Sequence, residues 1–497
     1  MRTKTIITGV IVVIVLAILA IVLIPKLIEP KPDTTQTYWP TQGWRTSTPE
    51  EQGLDSAKLA EVLQEIQKQN LQINSLLVIR NGSMLLDAYF YNPYDGTFPH
   101  DVASVTKSVM TTLIGIAAGQ GKIQLDQPML PYFPDRTIAN LDARKEKITV
   151  RHLAGMVNGF ESGCLAGDDA TLNEMRSNPD WVQAALDRKM VQEPGTNFCY
   201  DSPGMHLLSA ILQETTGMTA LEFARQYLFG PLGIQELIWE TDPQGYTQGW
   251  GDLHLYPQDT AKLGYLFLNN GVWDGQQIVP ADWVEDAVKP HVNAGEDDYG
   301  YGWWVGEENF NASGRAGQHI FVVPPLNAIV VTTGGGFDYD QIDPYLSAAV
   351  IDPNKPLPAN PAGVAQLTAA QAALVKEPPP LPGGQLPGTS QEISGKTYVF
   401  EPNTALVDSV RIEFSDPAEA TIYLKIKGHD EIWKIGLDNN YRQSTDGSAM
   451  RGYWEDDKTF VVEVFDVGLS TRRFTFTDDR LQVEAPGVML EGKMENP

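Results

Sequence analysis

The chain has 497 residues, with 36 Lys and Arg against 63 Asp and Glu and a formal net charge of −27. That acidity excludes an ordinary nucleic-acid binder, which needs clustered Lys and Arg, and disfavours charge-driven docking on anionic lipid. Hydrophobic residues at 42% and charged residues at 20% permit packed cores, in roughly two to four domains for this length. Its two cysteines are too few for a disulfide framework or a structural zinc site.

Ile6 to Ile24 is an almost unbroken apolar run, about long enough to span a bilayer as one helix. A cleaved signal usually has a shorter apolar part, about 7–15 residues, followed by a small-x-small site. Here Pro25-Lys26-Leu27-Ile28-Glu29-Pro30 follows instead. An uncleaved signal anchor is therefore expected, with a cleaved signal or a buried core helix as alternatives. Arg2 and Lys4 precede the run and Lys26 and Lys31 follow it, so charge orients it only weakly. The expectation is a membrane-anchored chain with an extracytoplasmic body. There Cys164 and Cys199 could form one disulfide; two unrelated free thiols are the other reading.

A polar, Pro-containing tether follows. Leu59, Val62, Leu63 and Ile66 predict an amphipathic helix over 56–70. Leu76–Ile79, Asn81-Gly82 and Met84–Leu86 read as a β-hairpin around an Asn-Gly turn. An apolar helix is predicted over 107–119, then mixed helices and loops to about Asp298. Strand signals return at Tyr301–Val305, His319–Val323 and Ala328–Thr333, with a helix over 345–350. One hairpin, a helical middle and late strands predict an α+β domain whose sheet is assembled from both ends. Beyond it, Pro353–Pro361 is extended and 362–375 is Ala-rich and helical. Pro378 to Pro387 reads as a stiff linker. From Ile393, short alternating strands at 410–414, 421–426, 432–437, 460–465 and 473–476 predict a small all-β domain. The divisions are 1–33 anchor and tether, 34–376 α+β domain, 377–392 linker and 393–497 β-domain.

Three elements could carry chemistry. Ser104-Val-Thr-Lys107 opens the apolar helix, so both side chains share one face. A serine hydroxyl needs a neighbouring base, and a partly desolvated lysine can serve. The helix N-terminus favours a developing oxyanion. Ser-x-x-Lys alone is common by chance, and Gly-x-Ser-x-Gly is absent, which excludes an α/β-hydrolase elbow. Tyr200, in Cys199-Tyr-Asp-Ser202, could act as base and then acid beside a lysine; alone it would be an ordinary buried tyrosine. Gly314-Arg-Ala-Gly-Gln318 precedes a strand and could admit substrate backbone, or could be a plain turn. His152, His206 and His319 read as structural, and His254 as a possible border of the pocket. No His-Glu-x-x-His or Cys-x-x-Cys supports a metal. Trp303 and Trp304 read as sheet core, with one of them lining the cleft, and Tyr398, Trp433, Tyr441 and Trp454 as barrel filling rather than a binding face.

Taken in order, these elements resemble the serine β-lactamase and penicillin-binding-protein superfamily, nearest its class C-like branch of esterases and 6-aminohexanoate-oligomer hydrolases. His152 to Phe160, Gly251 to Gly264, Gly271 to Gly275 and Tyr299 to Trp304 are similar to that branch too, so the resemblance covers about residues 45–350. It implies a β-lactamase/transpeptidase-like antiparallel sheet flanked by helices. It also implies Ser104 as acylated nucleophile, Lys107 as its activator and Tyr200 as general base and acid. Ser202 would take a substrate-binding role, and the oxyanion hole would use Ser104 N–H and the strand near Gly317 and Gln318. No metal or organic cofactor is implied; the partner would be a small or peptide-like acyl substrate. Two departures stand out. The family's Tyr-x-Asn is Tyr200-Asp201-Ser202 here, and Lys-Thr-Gly is replaced within Ala312-Ser-Gly-Arg-Ala-Gly-Gln318. Both weaken a penicillin-binding peptidase or β-lactamase reading and leave ester or amide hydrolysis standing. A catalytically silent ligand-binding scaffold is the reading from another class.

Overall fold

The computed structural model describes residues 38–90, 95–161, 168–374, 386–403, 405–426, 429–444, 447–466 and 468–495. The predicted membrane anchor, Cys164 and most of the Pro-rich linker lie outside the described residues. Among the described residues, no helix is long and apolar enough to cross a membrane. The chain divides into two units, Met1–Trp39 and Pro40–Pro497, and everything below concerns the second.

Helix α1 (Ser56–Lys68) starts where the Asp55 carboxylate accepts the Ala57 and Lys58 N–H groups, and it buries Leu59, Val62, Leu63 and Ile66. The predicted hairpin is β1 (Ile73–Arg80) and β2 (Ser83–Tyr89). Asn81 and Gly82 both take positive φ, 49° and 70°, as such a two-residue turn requires. Helix α2 (Val105–Gly119) is almost wholly buried, and α3 (Ser202–Thr216) and α4 (Pro257–Leu268) follow. Four late strands complete the sheet: β3 (Trp304–Val305), β4 (Phe310–Gly314), β5 (Gln318–Val323) and β6 (Ala328–Gly334).

The order β2–β1–β6–β5–β4–β3 pairs the first hairpin with the last strand, as the split strand signals predict. Short strands extend both edges, Arg45–Thr46 beside β2, and Asp298–Tyr299 and Val292–Asn293 beyond β3. Helices α1, α5 (Asp343–Ala349) and α6 (Pro361–Ala372) pack together on one face. Helices α2 and α4 take the other. There Gly264 lets α4 approach so closely that a Cβ would lie 2.7 Å from the Ile320 side chain.

The C-terminal part is an antiparallel barrel. Its strands are β7 (Thr397–Phe400), β8 (Val407–Asp416), β9 (Glu419–Ile426), β10 (His429–Gly436), β11 (Ala449–Trp454), β12 (Thr459–Phe465), β13 (Leu469–Thr477), β14 (Arg480–Ala485) and β15 (Val488–Met494). One parallel bridge, Gly436 to Arg451, joins β10 to β11 and closes it. Tyr398, Phe460 and Phe474 fill the interior, and Trp433 and Trp454 pack against it. Tyr441 lies instead in a small cluster with Phe98, Ala449 and Phe465, at the seam with the α+β part.

Two expectations need correction, and one strand has no counterpart among them. The strand predicted over Tyr301–Val305 is only Trp304–Val305, because Gly302 turns the chain at φ 78° against helix α2. Strand β4 was not foreseen. The end of the predicted linker runs into a helix, Gly388–Ile393, because Ile393 has a place in the barrel core.

Candidate active site

The segment before α2 is built to present one serine. His100–Asp101 pairs with Leu253–Leu255, and Val102 N–H donates to the Leu253 carbonyl at 2.9 Å. The Asp101 carboxylate accepts the Ala103 N–H at 2.7 Å, holding Ala103 at φ 47°. The chain then turns directly into α2 with Ser104 at its N-cap. Through Asp101–Met110 every residue is buried except Ser104, which is half-buried.

The Lys107 ammonium donates to Ser104 Oγ at 2.8 Å and to the Trp250 carbonyl at 2.8 Å. It also lies 4.8 Å from the centre of the Tyr200 ring. Tyr200 in turn stacks on Trp304, with centroids 6.3 Å apart and planes 15° from parallel. These residues, with Ser202, line one cleft of about 630 Å³. The structure therefore brings Ser104, Lys107, Tyr200 and Ser202 together. Trp304 lines the cleft and Trp303 is buried core.

Gly317 and Gln318 do not line this cleft. The Gln318 amide is buried and turned inward, donating to the Arg315 and Gly334 carbonyls and accepting the Gly334 N–H. The strand end that meets Ser104 is Gly314–Arg315. A Cβ on Gly314 would lie 2.7 Å from the Val102 carbonyl oxygen and 3.0 Å from Ser104 N. Only a glycine permits that approach, so the backbone facing the nucleophile is that of β4 and not of β5. The signal available in sequence was Gly314 itself, at the end of the run Phe310-Asn-Ala-Ser-Gly.

Asp201, the middle residue of Tyr200-Asp201-Ser202, has a structural partner set. Its carboxylate is buried and accepts from Arg188 and, at 2.8 Å, from the Asn158 amide. The Tyr200 loop is thereby tied to the segment 156–160, where Cys199 N–H also donates to the Met156 carbonyl. Sequence reasoning did not find Asn158 and Arg188. Cys199 is disulfide-bonded; the only other cysteine, Cys164, lies outside the described residues.

The Arg315 guanidinium lines the cleft mouth and pairs with Asp101 at 3.4 Å. Burial, and then Asp101, raise the Asp252 carboxyl in the same wall. Burial, and then Tyr200, raise the Tyr299 phenol. The histidines are elsewhere: His152 closes a capping box with Thr149, and His206 meets Asp242 at 3.1 Å inside the core. His254 is buried in the strand Leu253–Leu255 and does not line the cleft. Among the described residues, no group of three or more His, Cys, Asp or Glu could hold a metal.

A helix that opens on Ser-x-x-Lys beside an antiparallel sheet with helices on both faces defines a β-lactamase/transpeptidase-like α+β fold, here followed by a barrel. The chain belongs to the Beta-lactamase family, whose model matches residues 59–351. It is similar to the 6-aminohexanoate-dimer hydrolase of Paenarthrobacter ureafaciens, at 23% identity over 289 residues, covering 54% of this chain and 74% of that protein. Among solved structures it resembles a putative 6-aminohexanoate-dimer hydrolase from Bacillus anthracis. The TM-score is 0.51 at 21% identity, covering 64% of this chain and 88% of that one. It resembles also EstCE1, a hydrolase with promiscuous acyltransferase activity, with TM-score 0.50 at 15% identity, covering 60% and 99%. Relatives of this family hydrolyse amides and esters, which supports an enzyme.

Proposed function

We propose that this protein is a serine hydrolase that cleaves an ester or amide through an acyl-enzyme on Ser104. The observation that carries the proposal is the contact of Lys107 Nζ with Ser104 Oγ at 2.8 Å, beneath the Tyr200 ring, in an open cleft. As the Ser104 oxygen attacks the acyl carbon, Tyr200, acting as the phenolate beside the Lys107 ammonium, takes its proton. Tyr200 then delivers a proton to the leaving alcohol or amine. The carbonyl oxygen gains charge between the N–H of Ser104 and that of Arg315, at the N-terminus of α2. Water repeats the sequence and frees the acid. The hydrolase name carried by the relative from Paenarthrobacter supports amide or ester hydrolysis without fixing the substrate.

The apolar run 6–24 supports tethering to a membrane, and a disulfide-bonded Cys199 fits an oxidising compartment outside the cytoplasm.

Intact mass after incubation with a fluorophosphonate and, separately, a penicillin tests the reading. A phosphonate adduct that disappears in Ser104→Ala is expected. Adducts with both reagents would move the assignment to a penicillin-recognising peptidase. Adducts with neither would overturn nucleophilic catalysis and favour a ligand-binding scaffold.

A further inference from the structure

The two backbone N–H groups that would hold the developing oxyanion, those of Ser104 and Arg315, come from segments more than two hundred residues apart. Such donors act only within about 2.7–3.1 Å of the charged oxygen, so their spacing must be fixed by something that both segments touch. The end of strand β6 is such a body.

On one side it holds the segment that leads into Ser104. The His100 imidazole shares a hydrogen bond with Thr333 Oγ1 at 2.6 Å through Nδ1, and Thr333 Oγ1 shares one with Ser75 Oγ of β1 at 2.7 Å. All three side chains are buried. His100–Asp101 pairs with Leu253–Leu255 in a small separate sheet, so the bond to Thr333 ties the nucleophile's segment to the main sheet. Burial, and then His254, hold the His100 imidazole down at about 3, so it is neutral at pH 7.

On the other side the same strand end holds the turn Arg315–Gly317. Thr332 Oγ1 donates to the Gly317 carbonyl at 2.9 Å, and the Gly336 N–H, just beyond β6, donates to the Ala316 carbonyl at 2.9 Å. The Gln318 amide nitrogen donates to the Arg315 carbonyl at 3.1 Å and to the Gly334 carbonyl at 2.7 Å, while its oxygen accepts the Gly334 N–H at 3.1 Å. All three carbonyls of the turn are thus engaged by residues 332–336, directly or through Gln318. Ala316 is held at φ 66°, a left-handed conformation that persists where its surroundings impose it.

We propose that His100 and Gln318 are positioning residues for the oxyanion hole, each fixing one of its two donors against the Thr332–Gly334 end of β6. Neither lines the Ser104 cleft, so both act through the backbone they hold. The proposal rests on the hydrolase reading.

The test uses the full chain with p-nitrophenyl acetate. Competent sites are counted by fluorophosphonate labelling run to completion, so that loss of folded protein is divided out. Gln318→Met and Thr333→Val nearly keep shape and remove the hydrogen bonds. Each is expected to lower kcat per competent site roughly tenfold, with KM within about twofold, as a displacement of a fraction of an ångström predicts. Each should weaken 1,1,1-trifluoro-2-octanone by the same factor, because Ser104 adds to that carbonyl and leaves its oxygen in the hole as an alkoxide. A merely structural role would lower the melting temperature and the number of competent sites and leave both constants per site alone. His100→Asn, whose amide can take the place of Nδ1, should stay within about threefold of wild type, while His100→Leu should fall as Thr333→Val does. Ser390→Ala, which removes an equally buried hydrogen bond beside the barrel, is the control. Constants per site unchanged in Gln318→Met and Thr333→Val overturn the proposal and leave the hydrolase reading standing. Hydrolysis undiminished in Ser104→Ala overturns the hydrolase reading, and the positioning role with it.

Discussion

Replacing Gly314 with alanine tests the active-site geometry without touching Ser104, Lys107 or Tyr200. Gly314 has φ −124° and ψ 155°, which any residue adopts, so the substitution adds no backbone strain. The added carbon would sit 2.7 Å from the Val102 oxygen, 3.0 Å from Ser104 N and 3.1 Å from Ala103 Cβ. Carbon and carbonyl oxygen settle at about 3.3 Å or more, so something must move by roughly 0.5 Å. The Val102–Ser104 segment is held by the Leu253 carbonyl and the Asp101 carboxylate, so the end of β4 is what yields. Overpacking of this kind costs about 1–3 kcal/mol in stability. The catalytic loss should be larger for its size, because misplacement by about 1 Å can cost about 10²-fold in rate. Half of that displacement predicts a fall of roughly tenfold in the acylation rate, in kcat rather than KM. Stopped-flow acylation with p-nitrophenyl acetate and a fluorophosphonate would measure it, with thermal melting to confirm the fold. Gly388→Ala is the control, since nothing lies within 4 Å of its added carbon. Wild-type acylation in a folded Gly314→Ala variant would refute the claim that this strand end faces the reacting carbonyl.

Other perturbations follow from the same structure. Asp201→Ala removes the carboxylate partner of the half-buried Arg188, which among the described residues keeps only the Ala185 carbonyl and the Phe160 ring, so urea unfolding should show a loss of about 2–3 kcal/mol, partly recovered by adding Arg188→Met; no recovery would mean the pair is not coupled. His319 binds its proton near pH 4 when folded, against 6.5 unfolded. The unfolded chain therefore holds the extra proton between those values, and stability falls as pH drops from 6.5 towards 4, by up to about 1.4 kcal/mol per pH unit, with no such dependence above 6.5. His319→Gln should flatten that slope by the same amount, and an unchanged slope would rule out His319 as its source. Phe465 is 5% exposed and sits in the seam cluster with Phe98 and Tyr441. Phe465→Ala should cost roughly 3 kcal/mol and split calorimetric melting into two transitions; a single unshifted transition would deny the seam any cohesive role.

The parts of the molecule legible in sequence are those with strong local signals. The hairpin could be read because Asn81-Gly82 fixes the turn, and α1 and α2 because their apolar spacing is unambiguous. Ser104 and Lys107 could be paired because one helix turn sets their distance. Strand β4 escaped because its five residues, Phe310-Asn-Ala-Ser-Gly314, hold Phe310 as the only strong strand former. The strand end beside Ser104 N is at Gly314 rather than at Gly317 or Gln318, and nothing local in the sequence reports that approach across more than two hundred residues of chain. Asp201 sits at the variable middle position of Tyr200-Asp201-Ser202 and carries no local signal of its own. Its meaning needed Arg188 and Asn158, which only the fold brings to it.

The Asp201 tie bears on how the cleft is held. The position that would hold an amide over the substrate is Ser202, still lining the cleft at the start of α3, while the residue before it has become a buried tie. A firmly tied Tyr200 loop and an Ala103 held at φ 47° beside Ser104 are the kind of fixed geometry that the proposed chemistry requires. The support also reaches beyond the α+β part. The strand Leu253–Leu255, which pairs with His100–Asp101 just before Ser104, carries His254, and Gly447 of the barrel lies directly against that imidazole, where an added Cβ would come within 2.6 Å. The barrel therefore abuts the strand pair that holds the nucleophile. A domain with no catalytic motif of its own is thus packed where it can stiffen the turn on which the proposed chemistry depends.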